Sequence, residues 1–99
     1  MHTVNKSPFE TNSLYDCLRR AKYGSSIILI EDGVYGALSG TAATNLILDR
    51  HGEIKMFVLT PDLAARGLSD KSIIKGLTLV DYGGFVDLVE KSSSIQSWL

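Results

Sequence analysis

Ser26-Ile27-Ile28-Leu29-Ile30, followed at once by Glu31-Asp32-Gly33, is the segment from which the architecture of this 99-residue chain can be built outward. Four aliphatic residues run together without the polar alternation of a half-solvated strand, as expected of a central strand buried on both faces. Such burial requires helices on both sides of a sheet. Three further apolar stretches, His2 to Asn5, Ile54 to Leu59 and Leu77 to Val80, read as strands of the same sheet.

Between these stretches the spacing turns helical. Leu14, Cys17, Leu18 and Ala21 fall at i, i+3, i+4 and i+7 on one face, with Ser13 and Asp16 in capping-box register before them and Gly24 placed to end the helix. A second helix is expected from Thr41 to about Arg50, with Ala43, Leu46 and Ile47 inward and Gly52 as the stop. A third, short helix starts at Pro61 and ends at Gly67, and a fourth runs from about Gly84 to Lys91 with Phe85, Leu88 and Val89 on one side. Strands alternating with helices imply parallel pairing through right-handed crossovers. The expected fold is α/β: a single three-layer α/β/α domain over residues 1–99, with a mainly parallel sheet of four or five strands, of the flavodoxin-like open type.

Composition narrows the function classes. A chain that is 44% hydrophobic with a net charge of −1 has material for one core, and lacks the positive field needed for direct, strong nucleic-acid binding. The longest aliphatic run, Ile27 to Ile30, falls far short of the roughly 20 apolar residues of a membrane span. Met1 to Lys6 has no secretory pattern, so the cytoplasm is the expected location. One cysteine forms no internal disulfide, and together with His2 and His51 it does not complete a zinc ligand set. No metal or cofactor is expected.

In open parallel sheets, ligands meet the crevice outside the carboxyl ends of the strands. The residues that follow the expected strands place Lys6, Glu31, Asp32, Asp62 and Asp81 on that rim. An acid-rich rim with one lysine suits a divalent cation or a phosphate in a receiver-like domain. The same acids equally suit helix N-caps, and Asp32, Asp62 and Asp81 each stand where a cap belongs. Gly33, Gly36 and Gly40 lack the lysine of a phosphate loop and the dinucleotide spacing, and read as turn glycines. Arg19, Arg20 and Lys22 read as the solvated, dipole-favoured end of a helix.

Cys17 is the candidate nucleophile, since a thiolate attacks, carries persulfide or exchanges disulfides. Its place on the apolar stripe of the first helix predicts a buried thiol of raised pKa. The chain closes on Ser94-Ile95-Gln96-Ser97-Trp98-Leu99, an apolar end where polar, frayed residues are usual. Trp98 suits a last short strand on its own domain and a partner contact equally. With Phe9, Tyr82, Phe85 and Leu99 it makes up the candidate partner interface.

His2-Thr3-Val4-Asn5-Lys6-Ser7-Pro8-Phe9, Glu31-Asp32-Gly33-Val34-Tyr35, Pro61 to Gly67, Asp81 to Leu88 and the closing Gln96-Ser97-Trp98-Leu99 together resemble the TusB/DsrH family of sulfur-relay subunits. The likeness runs in order along essentially the whole chain. It implies a DsrEFH-like domain in a heterohexamer of three related subunits, two copies of each, with sister subunits resembling TusC/DsrF and TusD/DsrE and a persulfide carrier met through the complex. It also implies a non-catalytic or docking role in a sulfurtransferase complex acting in 2-thiolation of the tRNA wobble uridine, the principal sulfur-accepting cysteine lying on a sister subunit. The alternative is a DsrH-type subunit of a DsrEFH complex in sulfur oxidation: Cys17, in the Asn12-Ser13-Leu14-x-x-Cys17-Leu18 block, matches a cysteine of DsrH-type members and would then be a secondary sulfur site.

Overall fold

The structure, a computed structural model, describes all 99 residues. Five short strands, β1 (His2–Val4), β2 (Ser26–Leu29), β3 (Lys55–Leu59), β4 (Thr78–Val80) and β5 (Gln96–Trp98), form one sheet in the order β4-β3-β2-β1-β5, every pair parallel. Four α-helices connect them: α1 (Ser13–Arg20), α2 (Thr44–Asp49), α3 (Thr60–Ala65) and α4 (Tyr82–Lys91). The chain steps from β1 to β4 in one direction and then jumps to the far edge for β5. Right-handed crossovers therefore put α1 to α3 on one face and α4 on the other, giving the three expected layers.

The core lies on the first face. Val4, Ile27, Leu29, Met56 and Val58 from the sheet pack with Leu14, Cys17 and Leu18 of α1, Ile47 of α2 and Leu63 of α3. Ile28 and Leu59 point to the opposite face and are also buried, which is why the Ile27 to Ile30 run shows no polar alternation. The α4 layer is thin: no residue of that helix is fully buried. No helix is long and apolar enough to cross a membrane.

Local chemistry departs from the sequence reading in four places. Ser13 is not the cap of α1; Asn12 holds that position without a side-chain bond, and the Ser13 hydroxyl instead donates to the Leu99 carbonyl at 3.0 Å. The helix ends at Arg20 with an extended Ala21, so Gly24 (φ +85°) serves the following turn. Glu31–Ala37, expected as a loop with turn glycines, is a 3-10 helix; of Gly33, Gly36 and Gly40 only Gly40, beyond its end, has a positive φ. A side chain on Gly33 would meet the Val4 carbonyl and one on Gly36 would meet Leu14, so these two glycines permit close packing. Leu46 is not inward: α2 is only six residues long, one narrow stripe centred on Ile47 is buried, and Leu46 stays 44% exposed.

Candidate functional site

At the carboxyl rim, three segments are clasped together around a strained residue. Glu31 follows β2 with φ +49°, a left-handed backbone that costs a non-glycine residue about 1 kcal/mol. Its N–H donates to Asp62 Oδ2 at 2.6 Å, and its carboxylate accepts from Asn5 Nδ2 at 3.2 Å, so the ends of β1 and β2 and the start of α3 are joined. Arg66 adds a second link, donating through Nε to Asp32 Oδ1 at 2.8 Å and through a terminal nitrogen to the Asp62 carbonyl at 3.1 Å. The Asp32 hydrogen bond raises the Arg66 guanidinium above its ordinary value, and the Asp32 and Asp62 charges reinforce it.

Of the five rim residues named from sequence, Glu31, Asp32 and Asp62 are thus brought together, with Asn5 and Arg66 as members that sequence reasoning missed. The Asp62–Arg66 spacing of i, i+4, from the first turn of α3 to its C-cap, was the available signal. Asp81 stands apart at the end of β4, where its carboxylate accepts from Gly84 N at 2.8 Å and caps α4. It alone of the three aspartates is a cap: Asp32 is engaged by an arginine, and Asp62 by a backbone N–H of another segment. Lys6 is exposed and takes no part in the clasp. No group of three or more His, Cys, Asp or Glu side chains is arranged to hold a metal ion.

Cys17 takes no part in the clasp and lies in the core. It is fully buried on α1, with Leu14 and Leu18 of the same helix in the same cluster. Burial pushes the thiol from 9.0 up to about 12, because a thiolate there would lose its hydration. Surface cavities open elsewhere again. One, of about 460 Å³, lies between α1 and α2 and is lined by Tyr15, Leu18, Leu46 and Arg50 among others. Arg50 reaches across it to the Leu18 and Ala21 carbonyls and so closes the open end of α1.

The candidate interface residues do not form one patch. Phe9 (52% exposed) follows β1, while Tyr82 (59%) follows β4, three strands away or about 14 Å. Phe85 is half-buried on α4. Trp98 is half-buried against its own core, and its indole Nε1 donates to His2 Nδ1 at 3.0 Å. Leu99, 83% exposed, projects from the end of β5. The tail therefore packs on its own domain through Trp98 and turns Ile95 and Leu99 outward.

The family described as DsrH like protein matches residues 6–95. The chain belongs to the DsrH-like family. This DsrH-like chain is 36% identical over 98 residues to Protein TusB of Serratia proteamaculans and 35% identical over 98 residues to Protein TusB of Escherichia coli K12, each comparison covering 99% of both chains. In three dimensions it resembles the YchN protein of Escherichia coli, with a TM-score of 0.82 at 14% identity over 97% of this chain and 96% of the other, a likeness of fold alone. It also resembles Tm0979 of Thermotoga maritima, with a TM-score of 0.62 at 27% identity over 95% and 97% of the two chains. The DsrH-like assignment and the five-stranded parallel sheet agree with the expected family and fold.

Proposed function

We propose that this DsrH-like protein is a docking subunit of a heteromeric sulfur-relay complex that passes persulfide sulfur toward 2-thiolation of the tRNA wobble uridine. Its sister subunits resemble TusC/DsrF and TusD/DsrE in a heterohexamer, the persulfide carrier is met through the complex, and the complex works in the cytoplasm. Similarity along the full length to proteins named TusB supports the branch.

The observation that carries the docking role is the sealed thiol. Persulfide transfer begins with a thiolate that attacks sulfur along an open path. Cys17 has no solvent exposure and a pKa pushed up to about 12, so neither condition is met in the folded chain. What the chain offers instead is surface: Phe9, Tyr82, Phe85 and Leu99 at the rim and on α4. With a net charge of −1, contact with tRNA falls to the partners.

Affinity purification of the tagged chain from its native cells, with identification of the bound proteins, tests this reading. Two small sister subunits recovered in stoichiometric amounts, with tRNA-thiolation proteins, are expected. Companions of the sulfite-reductase type would assign the chain to sulfur oxidation, and recovery of the chain alone would overturn the docking role.

A further inference from the structure

The last strand is tied to the first by a bond that depends on the charge of one imidazole. His2 and Trp98 lie diagonally across the β1–β5 pair, on the same face as Val4. Their ring centroids are 6.1 Å apart at an interplanar angle of 50°, and the indole N–H points at Nδ1 of His2. Only an imidazole without a proton on Nδ1 accepts that bond, so the neutral form with its proton on Nε2 is the one the contact requires. A protonated ring would turn a second positive N–H toward the positive edge of the indole, where the ring face could not compensate. We propose that the His2–Trp98 pair is a pH-sensitive latch: protonation of His2 removes the acceptor of the Trp98 indole and loosens β5 from the edge of the sheet.

The surroundings favour the neutral ring. Burial and the nearby Met1 ammonium, itself bonded to the Ser94 carbonyl at 2.9 Å, both lower the His2 pKa from 6.5. The two strands flanking β1 bring no charge against it, since β2 reads Ser26-Ile27-Ile28-Leu29 and β5 reads Gln96-Ser97-Trp98. On α1, Leu14, Cys17 and Leu18 face the core, Asp16 is paired with Arg19, and Arg20 is exposed; Lys22 beyond the helix is exposed too. At the Leu99 end, the carbonyl is held by Ser13 of α1. Besides the latch, β5 is held by three-residue backbone pairing, the Gln96 N–H bond to the Met1 carbonyl at 2.9 Å, the Thr3–Ser97 hydroxyl contact, this Ser13 bond and the packing of the half-buried Trp98 ring on the core.

Trp98 is the one tryptophan of the chain, so its emission reports on β5 directly. Lowering the pH of the full chain from 8 to 5 is expected to shift that emission to the red with a midpoint below 6.5. His51→Gln should leave the transition in place, and His2→Gln should abolish it. Because an imidazolium can quench an adjacent indole without any movement, amide hydrogen-exchange protection of Gln96 to Trp98 is the second readout. It should fall about tenfold between the two pH values in the wild type and be independent of pH in His2→Gln and in Trp98→Phe, which keeps an aromatic ring without the N–H donor. Protection that is the same at both pH values in the wild type, or that falls equally in His2→Gln, would overturn the latch.

Discussion

Gly33 lies so close beneath Val4 that a Cβ on it would come within 2.2 Å of the Val4 carbonyl oxygen and 3.0 Å of its carbonyl carbon. Both atoms are backbone of β1, and neither can rotate away. Gly33→Ala must therefore displace a strand bonded to β2 and β5, and the expected loss is about 3 kcal/mol or more. Gly24→Ala is the comparison: its φ of +85° is strained for alanine, but nothing lies within 4 Å, so about 1 kcal/mol is expected. Urea midpoints of the two variants check the order, and equal losses would contradict it.

Cys17 links stability to alkaline pH. In the unfolded chain the thiol ionises from 9.0, whereas in the folded chain it holds its proton until about 12. The raised folded value means that the protonated thiol's contribution is complete below 9.0 and is lost as pH rises toward 12, at about 1.4 kcal/mol per pH unit. Cys17→Ala removes this contribution, so the stability difference between wild type and variant should shrink or reverse as pH climbs above 9. The native thiol should also resist alkylation at pH 8, where only about one molecule in ten thousand carries a thiolate. Rapid modification without denaturant would contradict the burial.

Trp98 belongs to the fold before it belongs to any interface. Half-buried and bonded to His2, it should cost about 2 kcal/mol on replacement by alanine, and lower the melting temperature of the isolated chain by roughly 10 °C. Tyr82→Ala, at a side chain 59% exposed, should leave that temperature within about 2 °C and weaken association with sister subunits. A melting scan of each variant, followed by size-exclusion with partners present, separates the two effects. An unchanged melting temperature for Trp98→Ala would contradict this packing role.

The acids of the rim act as structural anchors. Asp81→Ala removes the cap of α4 and should cost about 1 kcal/mol, whereas Asp32→Ala breaks an exposed pair with Arg66 and should cost under about 1 kcal/mol. Millimolar magnesium should leave the wild-type melting temperature unchanged, since the carboxylates of Glu31, Asp32, Asp62 and Asp81 already have partners. A rise of several degrees would reinstate a cation site.

Four strands of the sheet were legible as short apolar runs beside turn residues, and the Ile27 to Ile30 run by its lack of alternation; β5, Gln96-Ser97-Trp98, is no such run and was open between a last strand and a partner contact. The apolar stripe of α1 was also legible, since Leu14, Cys17 and Leu18 stand at i, i+3 and i+4, one turn of a helix. The 3-10 helix was not, because Gly33 and Gly36 have the local look of turn residues and their role is set by Val4 and Leu14, each far away in sequence. The clasp at the rim escaped for a related reason. Whether an aspartate caps its own helix or accepts from another segment is decided by where β2 ends relative to α3, which only the packed sheet determines. Leu46 shows the limit of periodicity in a helix of six residues, where one neighbour such as Ile47 suffices to fill the stripe.

The docking role is tested most directly by assembling Cys17→Ala with its sister subunits and measuring persulfide sulfur passed from donor to acceptor. Transfer at the wild-type rate, with no sulfur added to the wild-type chain in intact-mass spectra, is the predicted result. Loss of transfer in a complex that still assembles, or added sulfur on Cys17, would contradict it.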